Sequence, residues 1–262
     1  MLGTGNALAT KCYNTCYILS HNTHHLLVDT GGGNTILKQL SLAGFSLNDI
    51  HDIFITHSHI DHFLGLFWII RIAAQLMHHD NFSGNINIYS HDEVIALIND
   101  LIPKLLLPYQ YNFLGKRIIL HTLNNGDSVS LLESKFSVFD IASVRTKQFG
   151  FRINCNGRII VCFGDEYPHS QCQHLALNAD WVLLEAFCLD SQEHIFHPHE
   201  KYHSTVKDAC LFAQKVSAKN VLLYHSNDND ITNRKINFLK EAKLYFSGNI
   251  FVPDDLERLQ LL

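Results

Sequence analysis

The sequence predicts an α/β protein, and three observations carry that prediction. Strand-like apolar runs alternate with helix-like stretches through two successive halves of the chain. The 262 residues suffice to bury a sizeable core as one domain spanning 1–262, and no repeat, low-complexity linker or domain boundary divides them. One apolar strand runs straight into a dense histidine cluster, which places chemistry on the loop at that strand's C-terminal end.

In order, the first half has strands at 15–19, 25–29, 52–56 and 85–89. Its helices lie at 34–43, stopped by Gly44, then at 63–77 and 92–101. Strands in the second half fall at 117–121, 135–141, 149–154, 158–163, 181–186 and 220–224. Asn156-Gly157 turns the hairpin that begins at Phe149. Helices at 204–216 and 233–242 and a strand at 249–252 complete the chain. The irregular stretch 103–115, with Pro108, Tyr109 and Tyr111, reads as a connecting loop, a lid or dimer surface being the alternative. The apolar stretch 63–77 holds Arg71 and Gln75 and is too short for a bilayer, so no membrane span is expected. It is expected as a buried helix behind the histidine cluster.

That cluster is His57, His59, Asp61 and His62, in the run His57-Ser58-His59-Ile60-Asp61-His62. Neutral imidazole and carboxylate suit Zn²⁺, with Mn²⁺ and Fe²⁺ as the other candidates. A short loop can turn alternate side chains towards two neighbouring ions, which a regular strand cannot. A surface histidine cluster is the plainer alternative in a chain with 18 histidines, but the His-x-His-x-Asp-His spacing after an apolar strand argues against it.

These residues resemble the signature of the metallo-β-lactamase superfamily. That resemblance implies a four-layer αββα sandwich of two mixed sheets flanked by helices, an α/β fold (α+β by some schemes), with a two-metal site at one edge. Leu26-Leu27-Val28-Asp29-Thr30-Gly31 is similar to the family's first motif, whose Asp supports the metal loops without binding metal. Cys162-Phe163-Gly164-Asp165 resembles the later Gly-Asp motif, whose carboxylate bridges both ions, and Leu223-Tyr224-His225 the strand that ends in the last ligand. The implied ligands are therefore His57, His59, Asp61, His62, Asp165 and His225.

Shorter segments are similar to the ribonuclease Z-like branch: Leu2-Gly3-Thr4-Gly5, Phe149-Gly150-Phe151-Arg152-Ile153, Leu184-Glu185-Ala186-Phe187 and His203-Ser204-Thr205. Two departures stand out. Where the family has a histidine, usually followed by Ser, this chain has Ala142-Ser143, so the ion held by His57 and His59 loses a protein ligand. His169, another residue or extra water is expected to fill the gap, or the site to be weak. There is also no room between Ala142 and Asp165 for the long arm that grips transfer RNA in bacterial ribonuclease Z enzymes.

The net charge of −5 and the lack of a Lys/Arg run leave no strong nucleic-acid footprint. Arg145, Lys147, Arg152 and Lys201 form either a basic rim or a solvated loop surface, the latter preferred. Seven cysteines, an odd count without zinc-ribbon pairing, read as free thiols in a reducing cytosol, and the N-terminus has no export pattern, so a cytoplasmic protein is expected. Thr30-Gly31-Gly32-Gly33-Asn34 opens a helix, either to receive a phosphate or, preferred, to make a tight turn beneath Asp29.

The expected chemistry is metal-dependent hydrolysis. Two cations roughly 3.5–4 Å apart activate a shared water and clamp an in-line phosphoryl displacement. Asp61 binds metal and accepts a proton; His203 delivers one to the leaving alkoxide, oriented by Glu185. For His203 a plain helix N-terminal position, and for Glu185 a structural ion pair, are the competing readings. A phosphodiesterase acting on a small phosphodiester or RNA is the leading function. Hydrolysis of a carboxyl ester, thioester or lactone, or a metal-binding protein weakened at Ala142, are the alternatives. A homodimer is an expectation from the ribonuclease Z resemblance alone.

Overall fold

The computed structural model describes residues 1–261. Its first half runs β1 (Tyr17–His21), β2 (His24–Val28), α1 (Thr35–Leu42), β3 (Asp52–Phe54), α2 (Ile60–Phe63), α3 (Gly65–His78), β4 (Ile86–Ser90), α4 (Asp92–Leu105), α5 (Pro108–Tyr111) and β5 (Ile118–Thr122). The second half continues with β6 (Ser128–Leu131), β7 (Ser134–Asp140), β8 (Phe149–Cys155), β9 (Arg158–Cys162), β10 (Trp181–Glu185), α6 (Glu193–Phe196), α7 (Val206–Lys215), β11 (Asn220–Tyr224), α8 (Ile231–Ala242) and β12 (Asn249–Phe251).

Two mixed sheets form, in the orders β1-β2-β3-β4-β5 and β12-β11-β10-β9-β8-β7-β6. Period-two alternation explains how each sheet serves two cores. In β11, Val221 and Leu223 face α7 and α8 with Phe212 and Phe238, whereas Leu222 and Tyr224 face the other sheet. Leu27 of β2 packs with Ile69 and Ile98 on the helical side, while Leu26 and Val28 meet Phe151 and Leu183 between the sheets. Helices thus cover the outer face of each sheet, giving the expected αββα order.

From β2 to β5 neighbouring strands run parallel, and so do β9 to β12. Parallel strands place all their C-terminal ends on one edge, and loops leaving that edge are where open α/β sheets build sites. Here the edges of both sheets meet.

β6 and α6 form where no element was expected, and three other elements differ from expectation. α4 continues past Pro103 to Leu105, because burial of Ile102 and Leu106 outweighs one missing hydrogen bond in the last turn. The stretch after it holds the short helix α5, with Gln110 buried and Tyr111 and Phe113 packed on the core, rather than a plain loop. α2 and α3 together span Ile60–His78, 19 residues and apolar enough by length and composition for a membrane span. The 63–77 estimate of its length was therefore short. Its Leu66, Ile69, Ile70, Ala73 and Ala74 are nevertheless fully buried in the helix-side core, as expected of a helix behind the site.

Candidate metal centre

The loop leaving β3 is shaped by one carboxylate. Asp29, at the end of β2 with φ +54, accepts Thr56 N on Oδ1 and Thr56 Oγ1 on Oδ2, each at 2.8 Å. Asp29 Oδ2 also accepts from His62 Nδ1 at 2.8 Å. A carboxylate oxygen only accepts, so His62 Nδ1 carries a proton and Nε2 is the nitrogen turned to the site.

His59 then caps α2 in an extended conformation, and Asp61 and His62 lie in the helix's single turn. Gly65 N donates to Gly31 O at 2.8 Å, and a Cβ on Gly65 would strike the Thr30 carbonyl. Only glycine lets the helix approach the Thr30–Gly33 turn this closely. That turn is a packing device: Tyr13 Oη donates to Thr30 O and Gly33 O, at 2.9 and 3.0 Å.

The second sheet supplies the remaining groups from its strand ends. Asp165 follows β9 after Gly164 (φ +73), and His225 follows β11 at φ +58. Glu185 ends β10, and His203 precedes α7, whose N-cap Thr205 forms a capping box with Asp208.

Three overlapping donor groups result; Asp165, His203 and His225 form one, and the other two are built on the loop after β3. In the first of those two, His57 Nε2 lies 2.9 Å from His59 Nδ1 and 3.6 Å from Asp165 Oδ1. In the second, His62 Nε2, His225 Nε2 and Asp61 Oδ2 are mutually 3.3, 3.3 and 3.4 Å apart, and Asp165 Oδ2 is 3.6 Å from each imidazole. Donors about 2.0–2.1 Å from a tetrahedrally bound cation stand about 3.3–3.4 Å from one another. The second group has the dimensions of a divalent-cation site, and its imidazole and carboxylate donors suit one. Asp165 turns one oxygen to each group.

Electrostatics separate the two. Burial pushes His57 well below the ordinary imidazole range, against the pull of Asp165, and lowers His59 too. Both rings are thus neutral. In the second group burial opposes charge, but His62 and His225 outweigh it and hold Asp61 far below the carboxylate range. Asp61 and Asp29 likewise overcome burial to raise His62 well above its usual value. Burial lowers His225, yet the Asp61 and Glu185 carboxylates lift it to about 9.

His203 Nδ1 lies 3.0 Å from Glu185 Oε2 and 3.1 Å from the Asp165 carbonyl. Both are acceptors, so Nδ1 carries the proton and Nε2 takes neither bond. Phe187 stacks on the ring at 5.2 Å and 7°. Glu185 also accepts from Ser204 N at 2.5 Å and stands 3.8 Å from His225 Nδ1, so this buried carboxylate supports two imidazoles at once. His203 and Ala142 line one cleft of about 400 Å³ with Ile141, Val144, Glu166, Tyr167 and Tyr202.

All eight site residues expected from the sequence converge here. His169 does not join the donors: it caps a 3-10 turn, its Nδ1 accepting from Gln171 N, and lines the outer cleft. Of the basic residues, Lys147 pairs with Asp92 and Arg145 donates to the Lys201 carbonyl. Sequence reasoning missed Gln148, whose buried amide lies between His57 and Asp165, and Thr56, the link from Asp29 to His57. The one signal for Gln148 was its place immediately before the Phe149-Gly150-Phe151-Arg152 strand.

A ribonuclease Z of Thermobifida fusca is 25% identical over 300 residues, covering 99% of this chain and 93% of the relative. The metallo-β-lactamase fold protein YhfI of Bacillus subtilis superposes with a TM-score of 0.79 at 18% identity, covering 97% of this chain and 95% of that one. An anti-Pycsar protein Apyc1 of Bacillus phage 010DV004 is 40% identical over 67 residues, 25% of each chain. Fold and site together define a ribonuclease Z-like metallo-hydrolase of the metallo-β-lactamase superfamily. Residues 1–245 match the family described as anti-Pycsar protein Apyc1, and the chain belongs to that family.

Proposed function

We propose that the protein is a phosphodiesterase that uses two divalent cations to cleave a small phosphodiester. One observation carries this reading: Asp165 turns an oxygen to each donor group, directly beside a cleft lined by an oriented imidazole. Bound there, the cations would supply Lewis acidity and a water of lowered pKa. Asp61, held ionised by His62 and His225, is placed to accept the proton of the attacking water. His203 keeps its Nδ1 proton on Glu185 and the Asp165 carbonyl, so in the imidazolium form it is Nε2 that hands the second proton to the leaving alkoxide, leaving the ring neutral. Phe187 fixes the plane in which it does so.

The small substrate follows from what surrounds the cleft. β8 and β9 join through the two-residue turn Asn156-Gly157, both residues at positive φ, so this hairpin carries no RNA-gripping arm. A net charge of −5 adds no electrostatic pull on a long polyanion. Relatives named ribonuclease Z support phosphodiester chemistry over ester or thioester hydrolysis.

The test is turnover of bis(p-nitrophenyl) phosphate against a thioester by metal-loaded protein, with a transfer-RNA precursor as a third substrate. Cleavage of the phosphodiester well above the thioester is expected, with little processing of the precursor. Thioester turnover without phosphodiester turnover would overturn the proposal.

A further inference from the structure

The amide of Gln148 is held in a position that hydrogen bonding alone does not satisfy. Its Nε2 lies 2.6 Å from Asp165 Oδ1 and 2.9 Å from His57 Nδ1. Thr56 commits its hydroxyl proton to Asp29 Oδ2, so towards His57, 2.9 Å away, Thr56 Oγ1 can only accept. The His57 proton therefore sits on Nδ1, and the amide atom facing it should be an acceptor. The neighbouring Asp165 carboxylate calls for a donor at the same point. No single amide orientation serves both, and a flip of the amide merely exchanges the mismatch. Oε1 is buried with no hydrogen-bond partner among the described residues. An orphaned buried oxygen costs roughly 1–3 kcal/mol.

The room for this amide is itself built in. Gln148 is 1% exposed, and its amide lies over the α-carbon of Gly164, where a Cβ would meet Gln148 Nε2 at 2.6 Å. It sits against the Nδ1 edge of His57 and against Asp165 Oδ1, two members of the group that Ala142 leaves short of a ligand.

We propose that Gln148 supplies the missing donor, placing its amide oxygen on a cation shared with His57, His59 and Asp165. A cation there removes the conflict: it takes the amide oxygen and Asp165 Oδ1 together and leaves the His57 Nδ1 proton to Thr56. The inference rests on the metal reading of this site and adds a consequence for selectivity. An oxygen in place of an imidazole makes the first group a two-imidazole, two-oxygen set, and amide and carboxylate oxygens suit Mn²⁺ better than a nitrogen-rich set does. The first group then matches its neighbour, itself two imidazoles and two oxygens, and discriminates less between Zn²⁺ and Mn²⁺ than a three-imidazole group would.

The experiment titrates metal-free protein with Mn²⁺ or Zn²⁺ by calorimetry and counts bound ions by mass spectrometry after desalting. Gln148→Met keeps the side chain's length but offers no oxygen, and Gln148→Glu keeps an oxygen. Two Mn²⁺ ions are expected on the native chain. Gln148→Met should lose about one ion per chain, or bind it about 10–100-fold more weakly, while Gln148→Glu keeps it. Gln148→His should raise the preference of that ion's site for Zn²⁺. Near-ultraviolet circular dichroism of the metal-free variants checks that each keeps its fold. Native-like binding of both ions by Gln148→Met would overturn the proposal. So would a native chain binding one ion, unaffected by that substitution, although the second group's metal reading would then stand. A native chain binding no ion would overturn both readings.

Discussion

The donor group around His62 and the group around His57 grow from one loop of six residues, yet they are finished in different ways. The second group is braced from several sides, although His225 Nδ1 makes no hydrogen bond and has Glu185 only at 3.8 Å. Asp29 fixes His62, Glu185 backs His225, and Asp61 completes a triangle of donors with nearly equal edges. Its charges are already paired, so it holds its shape without metal. The first group has two neutral imidazoles, an oxygen of Asp165 and a frustrated amide. On the proposed reading the missing donor comes from Gln148, six residues beyond Ala142, rather than from position 142 itself.

The strongest way to collapse the distinction is to remove what the two groups share. Asp165→Ala should empty both, with activity at background and less than one ion per chain by mass spectrometry. A substitution outside both groups should do the opposite. His203→Ala should leave metal content unchanged and slow cleavage of an alkyl phosphodiester by about 10²–10⁴-fold. It should spare a nitrophenyl ester, whose leaving group needs no proton, and a steady-state comparison of the two substrates reads the difference.

Finer tests address one group at a time. Asp29→Asn loosens His62 and should weaken metal binding about 10–100-fold at the second group, measured as a selective loss of one calorimetric phase. The pH dependence should also differ. In the metal-free protein His225 keeps its proton up to about pH 9, and only a deprotonated ring nitrogen binds a cation. Affinity at the second group should fall as pH drops through that range, by about tenfold per pH unit for each proton displaced, with His62, also raised, adding to the fall. The first group, with His57 neutral well below its ordinary range, should stay level to lower pH. The mildest change, Gly65→Ala, pushes α3 off Thr30 and should cost about 1–3 kcal/mol in denaturant unfolding, with the second group's affinity falling first.

Much of this was legible in the sequence because it is local. His57, His59, Asp61 and His62 announce themselves by spacing, and the Asn156-Gly157 turn by its dipeptide. Asp165 and His225 were legible only through their order behind that cluster, since a lone carboxylate in a turn or a histidine at a strand end signals little. Gln148 was not legible: an amide carries no charge and has no customary spacing, and its importance appears only when β8 lies beside the β3 loop. α4 beyond Pro103 escaped for a different reason. The local rule that proline ends a helix was right about the hydrogen bond and blind to the burial of Ile102 and Leu106.

The site also has a bearing on how the chain folds. His62 and His225 stand 163 residues apart in sequence and 3.3 Å apart in space, one on each sheet. Everything from Asp29 to His62 belongs to the first half, and everything from Gln148 to His225 to the second. Neither half alone presents a complete donor group, so full metal affinity appears only after the sheets have docked. Such long sequence separations are slow to close. Metal uptake in a refolding experiment should therefore lag the formation of helices and strands, and chelation should weaken the seam between the halves before it disturbs either.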